Sequence, residues 1–375
     1  MMERRIPSPS REGIKFHNGA DVTVDDVKYS IERCADTSNG EPLVSAFSNI
    51  AGVETPDGKT VVIHLTEADT EFLAYLTTAI IPKDNENPDT DPIGTGPPFN
   101  MSQGLPRRIL LLKKFADYWG TPAYLDEVTF KVLSDSNAIV TGLKGGSIDM
   151  FARIDSTQSA ELKDDFTIYE GSMNLIQALY LNNAVEPFNN IKVRQAMCYA
   201  VNRQEVMDMI ADGKGTAIGS SMFPAFGKYY VPELADMYPQ DVTKAKELLA
   251  EAGYPDGFEC SIFVNGDLRT RSAQILQAQL ADVGIKVDIS TYEWGALLDT
   301  LNAGEHEMFL LGWSNTSFDP DGSTYQLFYS GNHGATGNRA FFSNDKVDEL
   351  ILSAQRESEE SKRMELYKEL QVCTS

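Results

Sequence analysis

Histidine, cysteine and serine most often signal chemistry, and here their spacing assembles none. The four histidines, His17, His64, His306 and His333, lie far apart, and none has a neighbour at ligand spacing. Cys34, Cys198, Cys260 and Cys373 occur singly, with no CxxC pair and no zinc-like spacing, and read as isolated thiols. HExxH, a Walker A loop, GxGxxG and GxSxG are absent. Gly142-Leu-Lys-Gly-Gly146 is glycine-rich but lacks the Gly-Lys-Ser/Thr of a phosphate loop. It reads as the connection from a helix to a strand at 147–151. The 55 Asp and Glu residues make carboxylate pairs trivially available, so their presence is no argument for glycosidase-type chemistry. His17, in Phe16-His17-Asn18-Gly19, reads as a turn residue beside Asn-Gly and not as a general base.

What remains is recognition. Trp119, Tyr292, Trp294 and Trp313 are large groups with few rotors, suited either to core packing or to lining a cleft. Trp313 is followed by Ser314-Asn-Thr-Ser-Phe-Asp-Pro-Asp-Gly322, rich in hydroxyls and carboxylates. That stretch is either a ligand-contacting loop or a solvated turn built on Asp-Pro and Asp-Gly. With 32 Lys and Arg against 55 Asp and Glu, the net charge is −23. This argues against a phosphate-backbone partner, which needs a basic footprint, and against docking on anionic lipid by charge.

The elements that must position these residues are legible between 241 and 313. Asp241 can cap a helix through Ala245, Leu248 and Leu249 that Gly253 stops. A strand follows at 258–264, then a helix at 267–283 closed by Gly284. Ile285, Val287 and Ile289 alternate with polar residues at strand period. A short helix at 297–302 and an apolar strand at 307–313 complete β-α-β-α-β, whose connections suit right-handed crossovers in a parallel sheet. Ligands of open α/β sheets sit beyond the carboxyl ends of the strands. Upstream, 24–33 reads as a helix and 60–65 as a strand. Length alone, at about 150 residues per domain, suggests two or three domains. The Asp/Asn/Pro/Gly-dense stretch 83–98 is the first candidate for a domain crossing and 182–190 the second. No apolar run approaches the ~18 residues of a membrane span. The first ten residues carry no apolar h-region, so as written they do not form a signal peptide.

Ordered strings along the chain resemble the bacterial extracellular solute-binding proteins of the oligopeptide/dipeptide/nickel type. They are Arg11-Glu-Gly-Ile-Lys-Phe-His-Asn-Gly19, Thr23-Val-Asp-Asp-Val-Lys-Tyr-Ser-Ile-Glu-Arg33, Ile93-Gly-Thr-Gly-Pro97 and Asp117-Tyr-Trp-Gly120. Leu143-Lys-Gly-Gly-Ser-Ile-Asp149, Val193-Arg-Gln-Ala-Met-Cys-Tyr-Ala-Val-Asn-Arg203 and Ala245-Lys-Glu-Leu-Leu-Ala-Glu-Ala-Gly-Tyr-Pro-Asp-Gly257 follow. Gly312-Trp313 with Asp319-Pro-Asp321, then Gly337-Asn-Arg-Ala-Phe-Phe-Ser-Asn344, complete the set.

The resemblance implies a periplasmic-binding-protein-like α/β fold of two lobes with mixed sheets and an inserted domain. Residues 1–88 would be the latter part of the insert, 89–188 the middle of lobe one, and 189–375 lobe two. It implies a chain shortened at both ends, without the leader (often lipid-attached in the family) and without the C-terminal return to lobe one, which would leave unpaired sheet edges. It further implies that 1–10 is not the strand expected before Arg11 and that 98–112 departs from strand–turn–strand. The implied function is the substrate-binding component of an ABC importer in the periplasm or at the extracellular face of the envelope. Such a component captures extended oligopeptides and delivers them to a permease and its ATPase subunits. It works as a monomer, with no catalysis, cofactor, metal or nucleic acid. The implied ligand-binding residues are Trp313, Ser314, Asn315, Thr316, Asp319, Tyr292 and Trp294. Many relatives carry a carboxylate three residues after the Gly-Trp tryptophan to hold the peptide amino group. Thr316 stands there in this chain, and Asp319 is close enough to substitute. Another solute of the family, such as a nickel chelate, haem, glutathione or an oligosaccharide, is the alternative, as is a non-functional fragment.

Overall fold

Local signals start and stop the helices where the sequence places them. Thr23 and Asp26 close a capping box at the head of α1 (Val24–Ala35). Asn190, Asn202 and Asp241 each accept a main-chain N–H to cap α4 (Ile191–Ala200), α5 (Arg203–Ala211) and α6 (Val242–Glu251). The computed structural model describes residues 5–9, 11–38, 40, 42–70, 72–102, 109–133, 135–315 and 320–375. The chain divides into two compact units, Met1–Thr167 and Ile168–Ser375.

In the first unit, β1 (Arg5–Pro9), β3 (Thr60–Leu65) and β2 (Ile50–Glu54) form an antiparallel sheet in that order, packed against α1. Its core contains Ile31, Phe47, Val61, Ile63 and Phe72, with Phe47 and Phe72 stacked at 5.7 Å. A second antiparallel sheet holds β4 (Pro98–Ser102), β5 (Ile109–Lys114) and β6 (Glu127–Lys131), followed by α2 (Ser136–Lys144) and α3 (Ser156–Leu162). Around β6, Tyr124, Leu125, Phe130 and Val132 are exposed.

Three expectations are corrected here. Residues 5–9 are a strand, paired through Ile6↔Ile63 and Ser8↔Val61. Pro7 is tolerated because β1 lies at the sheet edge, where a missing N–H breaks no inner ladder. The stretch from 98 to 114 also keeps its two strands, paired as Pro98↔Lys114 and Phe99↔Lys113. Residues 147–151, by contrast, form no strand. The N–H groups of Ser147 and Ile148 both close back on the Gly142 carbonyl, which ends α2 in a turn.

The second unit is built on one four-stranded sheet in the order β7 (Leu175–Leu181), β10 (Met308–Ser314), β8 (Glu259–Val264), β9 (Lys286–Thr291). The β-α-β-α-β reading holds: β10, β8 and β9 run parallel, joined through α7 (Gly266–Ala281) and α8 (Trp294–Ala303). β7 adds antiparallel to β10, ahead of residue 189, where the resemblance starts lobe two. Side chains alternate across the sheet. Ile262, Val264 and Leu310 pack with Val193, Ala196, Leu249 and Leu280 from α4, α6 and α7. Phe263, Phe309 and Leu311 pack with Leu297 and Leu301 of α8. A Cβ at Gly257 would meet the Gly284 carbonyl oxygen at 2.0 Å, so the two chain crossings under the sheet touch backbone to backbone. α9 (Pro320–Phe328), α10 (Asp345–Arg356) and α11 (Glu360–Thr374) complete the unit.

His306 enters β10 from below and is 1% exposed, edge-on to Phe309 at 4.9 Å. The Asn182 amide donates to its carbonyl at 2.8 Å. Burial, reinforced by the Arg339 charge, pushes its imidazole down to about 4. The unfolded chain takes up this proton near pH 6.5 and the folded chain only near 4, so the contribution is full above about 6.5 and fades as pH falls toward 4. The maximum loss is roughly 3 kcal/mol. In urea titrations from pH 7 to pH 4, His306→Leu should lose less stability than the parent chain. Parallel pH curves for the two proteins would remove His306 as the titrating group.

Candidate functional site

Because β8, β9 and β10 run parallel, their carboxyl ends share one edge of the sheet. That edge carries Asn265 after β8, Tyr292 and Trp294 after β9, and Trp313, Ser314 and Asn315 at the end of β10. β10 runs past its neighbour. It pairs with β7 over its whole length, from Met308↔Leu181 to Ser314↔Leu175. With β8 it pairs only at Met308↔Ile262 and Phe309↔Phe263. β8 ends at Val264 because Asn265 and Gly266 (φ +76°) turn the chain into α7. Among the described residues, the main chain of 311–314 therefore has no strand on the β8 side, over about 13 Å at ~3.3 Å per residue. Gly312 keeps this stretch without a side chain, and a Cβ there would press on Leu175 Cδ1 at 2.8 Å.

The side chains divide into walls and free surface. Tyr292 is half-buried, its ring 4.8 Å from Phe263 and packed with the α8 cluster. Asn265 Nδ2 donates to the Tyr292 carbonyl at 3.0 Å, which ties the ends of β8 and β9 together. Trp294, the first residue of α8, is 48% exposed. Ser314 is exposed. Trp313 is half-buried, and its indole N–H donates to the Gly322 carbonyl at 3.0 Å, so it braces the loop as well as facing the edge. Asn315 is buried, receives its main-chain bond from the Asn174 carbonyl and donates through Nδ2 to Ser323 Oγ at 3.0 Å.

The structure thus brings together five of the seven candidates, Trp313, Ser314, Asn315, Tyr292 and Trp294. Thr316 and Asp319 lie outside the described residues. Trp119 belongs to the first unit, under the Arg11 guanidinium at 4.7 Å. His17 is a structural pin there: Nε2 lies 3.1 Å from the Gly96 carbonyl, and Gly94 N–H donates to Nδ1. One group escaped the sequence reading. Asp321, in the first turn of α9, is fully buried and accepts from Gln355 Nε2 of α10 at 3.0 and 2.9 Å. A carboxylate at a helix N-terminus suits the dipole, and the Asp-Pro-Asp string was its only local signal.

Among the described residues, no three of His, Cys, Asp and Glu converge as a metal site. Burial pushes the Cys260 thiol, inside the sheet, up to about 12. The edge offers aromatic surface, hydroxyl and amide groups, and open main chain.

Known proteins match this architecture over nearly the whole chain. The ABC transporter-associated periplasmic binding protein DppA of Helicobacter pylori, solved with the peptide STSA, superposes with a TM-score of 0.87 at 28% identity, covering 98% of this chain and 78% of that one. The oligopeptide-binding protein AppA of Bacillus subtilis, solved with a nonapeptide, gives 0.81 at 26% identity, covering 98% and 78%. The fold is therefore that of the periplasmic binding proteins. The glutathione-binding protein GsiB of Salmonella typhi is 33% identical over 96% of this chain and 73% of its own. The pattern of the bacterial extracellular solute-binding proteins, family 5, matches residues 11–335, and the chain belongs to that family. It is a solute-binding protein of the kind that serves ABC importers.

The buried Asp321–Gln355 pair fastens the helix that follows the edge loop. Gln355→Leu removes two donors from a buried carboxylate and should cost about 2–3 kcal/mol, read by chemical denaturation, whereas Gln355→Ala and Gln355→Leu alike should spare the neighbouring unit's transition. An unchanged midpoint would mean that the other contacts of Asp321 suffice.

Proposed function

We propose that the chain captures peptides by strand addition along 311–314 of β10. One observation carries this reading: β10 overruns β8 by four residues, which leaves a main-chain edge facing the side where ligands of parallel sheets collect. Bonds to main chain give affinity without demanding particular side chains, and hydrated space beside them accepts varied residues. Trp294 and Trp313 flank the peptide as apolar walls, Ser314 and Asn315 supply polar contacts, and Thr316 or Asp319 meets its amino end. The likeness to DppA, solved with STSA, and to AppA, solved with a nonapeptide, supports a peptide ligand. The loaded monomer is then handed to a permease driven by its ATPase subunits, at the outer face of the cell envelope, with no reaction on the binding protein itself. The 33% identity to a glutathione-binding protein favours one second reading, a small thiol peptide with a γ-linkage.

Calorimetry with mixed di- to pentapeptides and glutathione tests both. A tetrapeptide should bind, and N-methylating the amide that meets β10 should weaken it about tenfold, one main-chain bond. Equal affinity for every N-methylated isomer would remove strand addition. Binding of glutathione alone would select the second reading. Trp313→Ala should lose about tenfold or more, while Trp119→Ala changes affinity less. Equal losses would take the loop out of the site. Thr316→Asp should raise the preference for free over acetylated amino termini severalfold, because a carboxylate neutralises an ammonium that a hydroxyl can only hydrogen-bond. An unchanged ratio would place the amino end elsewhere.

A further inference from the structure

The first unit contains a cavity that peptide capture does not use. Its volume is about 250 Å³. Val27 and Ile31 of α1, Val61 of β3 and Leu76 form much of its wall, and the exposed Ser8 and Arg11 also line it. The cause is visible in the register of β1. Ile6 pairs with Ile63 and packs on the core. Ser8, two residues on, pairs with Val61 and so lies on the same inward face. Ser8 is exposed there, and its hydroxyl, in place of an aliphatic chain, leaves the space beside Val61 open.

Arg11 is the one charged side chain of the lining. Its guanidinium lies over the Trp119 ring at 4.7 Å, and no described carboxylate pairs with it, since its neighbour Glu12 is bonded to Lys59. The site therefore combines a mostly aliphatic lining, with the hydroxyls of Ser8, Thr78 and Thr95, and a single cation, in a chain of net charge −23. A cavity of this character prefers a ligand with an alkyl body and one anionic end. An apolar cavity of about 150 Å³ already takes a six-carbon ring. At about 30 Å³ per water-sized group, this one holds roughly eight heavy atoms.

We propose that this cavity binds a free medium-chain alkyl carboxylate, with the chain between α1 and β3 and the carboxylate on Arg11. The ligand differs in class from the peptide at the β10 edge, and the site stands whether or not the peptide reading does.

Calorimetry of the full chain with hexanoate, octanoate, octanol and octylammonium, all below their aggregation concentrations, tests the assignment. Octanoate should bind about 10–20-fold more tightly than hexanoate, at about fourfold per buried methylene. Octylammonium should not bind. Arg11→Gln should weaken octanoate about tenfold, down to the affinity of octanol, and leave octanol unchanged. Ser8→Leu should fill the cavity, abolish binding and raise the melting temperature, which also shows that this variant folds. Absence of octanoate binding, octylammonium binding as well as octanoate, or full binding by Ser8→Leu would each overturn the proposal. So would sedimentation with phosphatidylglycerol vesicles in place of octanoate binding, which would assign the cavity to a lipid chain.

Discussion

The register of β10 is the constraint on which the second unit depends. One half of the strand is a sheet interior and the other half is an edge. Met308 through Leu311 are buried between helices on both faces, so the strand cannot slide without moving its apolar set off the α4–α6–α7 layer on one side and off α8 on the other. Once that half is fixed, the position of 311–314 relative to the end of β8 follows. The overrun costs the fold little, because β7 supplies a full antiparallel ladder on the opposite side. A strand held firmly on one side and open on the other is a rigid template. That rigidity lowers the ordering cost that an extended ligand must otherwise meet on binding.

How much of this was legible in the sequence depends on how local each cause was. The helices and parallel strands from 241 to 313 declared themselves through period, caps and stopping glycines, and they stand where expected. β7 was harder to read, because its sequence, Leu-Ile-Gln-Ala-Leu-Tyr-Leu, pairs with a strand some 130 residues away and no local signal names that partner. β1 was misjudged because Pro7 and Pro9 argue against a strand, an argument that fails at a sheet edge. The glycine-rich run at 142–146 was expected to lead into a strand, but a carbonyl that accepts two N–H groups turns the chain instead. At the site, Trp313, Tyr292 and Trp294 were legible as strand-end aromatics beyond a parallel sheet. Their division into wall and free surface was not, since it depends on packing against Phe263 and the bond to Gly322. The Asp321–Gln355 pair joins residues 34 apart on two helices, and the Asp-Pro-Asp string does not name Gln355 as the partner.

Strand addition along β10, as proposed, would make recognition broad without making it indiscriminate. Main-chain bonds there would read the presence of an extended backbone and little else. Selectivity must then come from what surrounds that edge. Tyr292 is fixed in the core and can only exclude, whereas Trp294 is half free and can stack. Among the described residues, Asn315 donates to Ser323 and Gln355 to Asp321, buried polar bonds that tie the end of β10 and the first turns of α9 in place. Such bonds are costly to break in a low-dielectric setting, so they fix Asn315 and the start of α9. On the proposed reading the strand gives affinity and the side chains around it give selectivity, so one fold can serve different solutes by changing only the second.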